Sequence, residues 1–455
     1  MAADSTIGKM DMLNGPLLSR IIMFSLPLEA SGILQQSFNA IDVVVVGRYC
    51  SHQAMAAVGG NGVIINIIIN LFIGISIGAN VVVANYIGRR NHNGIRQAVA
   101  TVGALALISG VLLTVIGMAA ARPILECMNT PDDVIDLASR YLSIFFLGMP
   151  FLMVYNFGAA VLRSMGDTRR PFYSLVAAGV LNTVLNLFFV IVCGMNVEGV
   201  AIATVAGFAL NAALVTYWLM REPDPLRLRP RTMRIHLGEM RKMLQIGIPA
   251  GLQGMVFSIA NIFIVAAINR YGSLAIAGSA AALNFELYCY FIMVAFCQAA
   301  VAFISQNYGA GQYGRCRRAY LYCMLMSVVC VGAANVAITL TGKWCIGLFS
   351  ADPQVIHYGM ERLQYVLMFQ FIASSYEISG SALRGLGYSM TPTLLVVFGT
   401  CVIRLGWVYY LSTRPSTYTE LLSIYPVTWV ITGILVVTAY LIVSHKVYRS
   451  KPQTA

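Results

Sequence analysis

Apolar runs long enough to cross a bilayer follow one another along almost the whole chain. About 20 apolar residues make one crossing helix, and reading for such runs gives twelve: 20–46, 55–87, 98–121, 137–161, 172–194, 198–220, 243–268, 274–308, 320–341, 358–382, 393–411 and 423–444. The second and eighth runs exceed one crossing, so tilt, bending or protrusion is expected there. Pro27, Pro150, Pro249 and Pro426 fall inside runs. Neighbouring helices can satisfy the carbonyls such prolines free. The expected fold class is an all-α polytopic membrane protein of twelve transmembrane helices.

The polar connections between runs alternate in charge. "GRRNHNGIR", "LRSMGDTRRP", "REPDPLRLRPRTMRIHLGEMRK", "GQYGRCRR" and the tail "HKVYRSK" are basic, whereas "CMNTPDD", "GMNVEG" and "FSADP" are not. Roughly 22 of the 30 Lys and Arg fall on the side of both termini, which the positive-inside rule makes cytoplasmic. The start, "MAADSTIGKMDMLNGPLLSR", has no small-residue cleavage site after a short apolar core, so the first apolar helix is expected to begin insertion itself.

The two halves repeat. "FSLPLEASG" aligns with "IGIPAGLQG", which pairs Pro27 with Pro249, 222 residues on (249 less 27). "VLRSMGDTRRP" aligns with "ALRGLGYSMTP" without a gap, pairing Pro171 with Pro392 at a shift of 221 (392 less 171). Arg48 pairs likewise with Arg270, and "TPDDVI" with "SADPQVI". Six spans are an even number, so the copies are parallel repeats about an axis along the membrane normal. The expected organisation is a six-helix lobe over 1–220, a cytoplasmic linker over 221–242 and a second six-helix lobe over 243–455.

Composition narrows the function. The chain is 58% hydrophobic and 11% charged, against about 25% charged in soluble domains, so no separate soluble domain is expected. The net charge of +12 follows from the basic loops, and no nucleic-acid partner is expected. Ten cysteines are scattered with no CxxC pair or His/Cys cluster, and small buried apolar roles suit them. No P-loop GxxxxGK[ST] and no HExxH occur; no nucleophile–base pair or metal cluster stands within the spans. An enzyme is therefore not expected, and neither a catalytic residue nor a resident metal or cofactor is assigned.

Several of these segments have a familiar form. "FNAIDVVVVGR" followed by "AMAAVG", then "LRSMGDTRRP", "LNTVLN" and "GVAIAT", with "QNYGAG" and "ALRGLG" in the second half, resemble the signatures of the MATE (multidrug and toxic compound extrusion) family. "ALNFELY", "SYEISGSALRGLG" and "CVIRLGW" resemble its DinF-like bacterial branch. The resemblance covers nearly the whole chain in order. It implies a bacterial inner-membrane exporter of organic cations or amphipathic drugs. Such an exporter exchanges its cargo for protons or sodium ions by alternating access and has a cavity in each lobe. A monomer in the lipid bilayer is expected. The alternative within reach is a lipid-linked oligosaccharide or lipid flippase of the related superfamily. That reading wants more spans and a cationic cavity; a channel fits isolated carboxylates in a two-lobe repeat less well.

The polar residues left inside the spans are the candidates. A charge at membrane depth costs about 2.5–3.5 kcal/mol on insertion scales, so Asp42 needs an offsetting role. Gln35, Asn39 and Asp42 stand at i, i+4, i+7 and share a helical face, a polar stripe expected to line a cavity. Asp42 is the expected ion-coupling group; a structural hydrogen-bonding role is the alternative. Asn182 and Asn186 lie i, i+4 in the fifth span and Thr204 in the sixth. In the MATE pattern the position of Asn186 is often an aspartate, as in "NxxLD", and the neutral residue here weakens any two-carboxylate or sodium site carried over from it. Glu286, Glu377 and Arg404 occupy apolar runs of the second half, and the cost of a lone arginine predicts that Arg404 pairs with one of those glutamates. Glu29, two residues past Pro27, ranks lower. The GxxxG spacing of Gly74 and Gly78 predicts close helix packing.

Overall fold

A computed structural model describes residues 10–127 and 130–449. The first nine residues, Met128 and Asn129 of the "CMNTPDD" connection and the end of the basic tail lie outside these. Among the described residues every regular element is helical. Ten helices are long and apolar enough to cross a membrane. An eleventh crossing is a pair, Val134–Leu147 and Met149–Ser164, bent by 47°. The bend falls at Gly148, and Pro150 occupies the first turn after it, where a missing N–H costs nothing.

The spans are numbered α1 to α12, the broken run over 353–385, the repeat counterpart of the bent pair, completing the twelve. In the first half they are α1 (Leu17–Tyr49), α2 (Gly62–Gly88), α3 (His92–Cys127), α4 (the bent pair just given), α5 (Arg169–Leu187, with a π turn at Phe188–Val192) and α6 (Val197–Met220). In the second half they are α7 (Leu237–Ile268), α8 (Ser273–Gly309) and α9 (Tyr313–Leu340). Then follow α10 (Pro353–Tyr365, a 3-10 stretch Leu367–Ala373, then Ser374–Gly385), α11 (Met390–Val396, a π turn Val397–Val402, then Ile403–Ser412) and α12 (Ile424–Arg449). The long run at 55–87 resolves into a short helix, His52–Gly60, and α2. The long run at 274–308 stays one helix of 37 residues, about 55 Å at 1.5 Å per residue. The span at 358–382 is the broken one. It carries Glu361, Arg362 and Glu377, and polar side chains with internal partners keep company with irregular backbone at membrane depth.

The chain forms two compact units. One holds Ala30–Gly251 with the residues just before Met12; the other holds Met12–Glu29 and Leu252 onward. The division thus falls inside α1 and inside α7 at matching places, 222 residues apart (252 less 30). Pro27 and Pro249 stand just before these two points, where the ring removes a backbone hydrogen bond and permits a bend.

In the first unit, the opening turns of α7 pack backbone to backbone on α2. A Cβ on Gly74 would sit 2.2 Å from the Gly251 nitrogen, and one on Gly78 would sit 2.1 Å from the Met243 carbonyl oxygen. The GxxxG of α2 is therefore an intrachain packing face. The 221–242 segment joins the same unit: Arg234 and His236 bond Thr101, and Leu228 and Met233 pack on Gly103. Further along, Tyr86 donates to Glu239 at 2.9 Å, and Lys242 holds both groups.

In the second unit, Arg315 fastens the segment before α1 by donating to the carbonyls of Met12, Asn14 and Gly15. Phe24 packs edge-on to Phe303 there, at 5.6 Å between ring centres. The repeat is visible in the turn motifs "RSMGD" and "RGLGY": Gly166 and Gly387 have φ of +89° and +94°, values that an L side chain rarely adopts.

Candidate functional site

The fifth helix meets α1 at Gly179. A Cβ there would overlap the Phe38 ring at 1.9 Å, so only glycine lets the two helices come this close. One turn on from Phe38, Asp42 reaches Asn186, whose Nδ2 donates to the Asp42 Oδ1. Asp42 is 8% exposed and Asn186 is fully buried. Tyr141 of α4 is a buried electrostatic neighbour of Asp42. One turn before Asn186, Asn182 Nδ2 donates to Thr204 Oγ1 at 3.3 Å, and Thr204 in turn donates to the Val200 carbonyl at 2.9 Å. A close approach of α6 at Gly207, beside Asn182, makes that bond possible.

Each amide donates an N–H within the cluster and leaves its oxygen without a donor. Asn182 Oδ1 and Asn186 Oδ1 are both buried without a hydrogen-bond donor. Leaving an acceptor dry and unpaired costs about 1–3 kcal/mol, a cost that a proton-bearing group or a cation between these oxygens would offset. A carboxylate and two amide oxygens are hard donors suited to a hard cation. They also suit a proton shared among them.

Gln35 and Asn39 do not join the cluster. Both are exposed on the first unit. Gln35 shares the helical face of Asp42 but lies two turns toward the helix start, and α5 covers the Phe38–Asp42 edge. The stripe expected from spacing is thus split by depth along the helix. Glu29, on the other side of the division in α1, is half-buried.

The second unit departs from the expected pairing. Arg404 meets neither glutamate: among the described residues its polar partner is Thr428, at 3.1 Å from Nε to Oγ1. Its guanidinium carbon stands 4.3 Å from the centre of the Tyr425 ring and 5.8 Å from those of Phe257 and Trp429. Aromatic faces supply part of the compensation that a carboxylate was expected to give. Glu286 is held instead by Arg362, with Nε to Oε1 at 2.6 Å and Nη2 to Oε2 at 2.9 Å. Ser279 accepts from Arg362 Nη1 at 2.7 Å, and Gln370 bonds the Glu286 carbonyl. Glu377 is half-buried within the field of Arg384, which itself donates to Gln253 at 2.7 Å. Sequence reasoning passed over Arg362 because it stands near the start of a run, where an arginine can snorkel outward.

The MatE family pattern matches this chain twice, over 27–188 and over 249–410. The chain belongs to the MatE family. The two matches lie 222 residues apart at both ends (249 less 27, 410 less 188), the shift of the internal repeat. Among similar proteins, the probable multidrug resistance protein YoeA of Bacillus subtilis is 25% identical over 431 residues, covering 92% of each chain. The probable multidrug resistance protein NorM of Thermotoga maritima is 26% identical over 402 residues, covering 85% of this chain and 83% of its own. An outward-facing multidrug resistance MATE family transporter of known structure superposes with a TM-score of 0.89 at 21% identity, over 99% of this chain and all of the other. This MatE member is a multi-pass membrane transporter, not an enzyme. Ion gradients drive such transporters without a bound cofactor.

Proposed function

We propose that this MatE member exports organic cations and amphipathic drugs by antiport against protons or sodium ions, with Asp42 as the coupling group. The observation that carries the reading is the Asp42–Asn186 bond beside two donorless amide oxygens. Asn186 is neutral, so Asp42 is the one carboxylate of the cluster and its charge alone decides the state. With a proton or sodium ion bound, the site is neutral and inexpensive to bury. Without one, the carboxylate attracts a cationic drug. Exclusive occupancy by ion or drug converts ion entry into drug exit, because each ligand shifts the conformational equilibrium only by its differential affinity. The relatives' names support export over the flippase alternative. The protein acts as a monomer in the bacterial inner membrane, both termini in the cytoplasm, each lobe carrying six helices.

The test is efflux of a fluorescent organic cation from proteoliposomes holding the purified protein. An imposed pH gradient and an imposed sodium gradient are applied separately. Efflux under one gradient and not the other identifies the coupling ion; efflux under neither removes the reading.

A further inference from the structure

Arg404 carries more hydrogen-bonding capacity than its surroundings use. It is 1% exposed, and its Nη2 is buried with no acceptor. Ring faces attract the guanidinium from above and below its plane, but they cannot accept N–H groups that point along that plane. Thr428 takes one of these at Nε. No carboxylate takes the next, because Glu286 is committed to Arg362 through both of its oxygens and Glu377 answers to Arg384. Among the described residues no carboxylate stands within bonding distance of the Arg404 guanidinium. A buried charge left without a partner is strongly destabilising. Arg404 is placed as if its partner were supplied from outside.

The groups around it say what kind of partner fits. Tyr425 and Trp429 are buried one turn apart on α12, and Phe257 on α7 is half-buried. Arg404 stands two residues after the end of the π turn Val397–Val402; such turns recur at functional sites. Three rings around an in-plane donor suit a flat aromatic molecule bearing an oxyanion. We infer that Arg404, Thr428, Tyr425, Trp429 and Phe257 form a second ligand site, in the second unit, for aromatic carboxylates. There the carboxylate accepts from Arg404 Nη2 and the ring system stacks on the aromatic side chains. This inference rests on the transport reading only for the fate of the ligand. Binding needs no gradient, so loss of coupling at Asp42 leaves it standing.

The experiment uses the full-length protein in lipid nanodiscs and two xanthene dyes that differ by one group, a free carboxylate in one and its ethyl ester in the other. Fluorescence polarisation should show the acid binding about tenfold more tightly than the ester, the size of one charge-assisted hydrogen bond. Arg404→Gln should erase that preference, so that acid and ester bind this variant alike. Equal affinities in the natural protein, or a preference that survives Arg404→Gln, would overturn the inference. Photolabelling with benzoylbenzoate gives a reading that needs no variant. Label should enter the peptide containing Tyr425 and Trp429 and be displaced by the acid dye but not by the ester. Label confined to other peptides would reject the site.

Discussion

Arg362 grips Glu286 through two parallel hydrogen bonds, 2.6 and 2.9 Å long, between the broken α10 and the middle of α8. Both side chains are nearly excluded from solvent, at 5% and 8% exposure. The fork of the guanidinium matches the two carboxylate oxygens, and Ser279 takes a further N–H. Arg362→Leu should leave a buried carboxylate alone and cost about 3–5 kcal/mol. Replacing both residues, Arg362→Leu with Glu286→Leu, should recover much of that loss. Thermal unfolding of the natural protein and the two purified variants checks it. A double variant no more stable than the single would show that the pair contributes through something other than mutual neutralisation.

Asp42→Asn keeps a side chain of the same size in the same bond network and cannot change charge. It should insert and unfold like the natural protein while gradient-driven efflux falls to the background of empty liposomes. Near-normal efflux from well-expressed Asp42→Asn would make Asp42 a structural residue.

Asn186→Asp puts a second carboxylate against the first. Two adjacent carboxylates repel unless a proton or cation lies between them. With the free Asn182 oxygen beside them, sodium should stimulate transport by this variant more than transport by the natural protein. Initial efflux rates at matched pH, with sodium replaced by choline, measure the effect; identical sodium dependence in the two proteins would count against the cation site.

Gly179 is where α5 admits the Phe38 ring. Gly179→Val should overpack the contact at a cost of about 1–3 kcal/mol and push the Asp42 segment of α1 away from Asn186. Transport should drop more than expression does. Adding Phe38→Ala opens the space again, so efflux should return in part. No recovery in the double variant would separate Phe38 from the positioning of Asp42.

Topology follows from loop charge. Asp224 and Asp352 are both exposed and are expected on opposite faces of the membrane. Single cysteines at these positions, with the ten native cysteines removed, should react with an impermeant maleimide from opposite sides. Reaction from one side only would break the twelve-span arrangement.

The sequence by itself determined the helices, the repeat and the family. Each of these depends on local quantities: length of apolar run, spacing of prolines and glycines, loop charge. These survive in one dimension. It also marked Asp42, Asn182, Asn186 and Thr204, because a polar residue in a lipid-length helix is costly wherever the helix packs. Which partner meets each costly group was decided by the tertiary structure. Glu286 and Arg362 are 76 residues apart, and Asp42 and Asn186 are 144 apart; no periodicity encodes such distances. The same holds for Arg404, whose compensation by rings and a hydroxyl depends on α7 and α12 arriving beside α11. The division of α1 and α7 between the two units is likewise invisible in a hydropathy pattern. A proline marks where a helix can bend, but only packing decides which neighbours each side of the bend will keep.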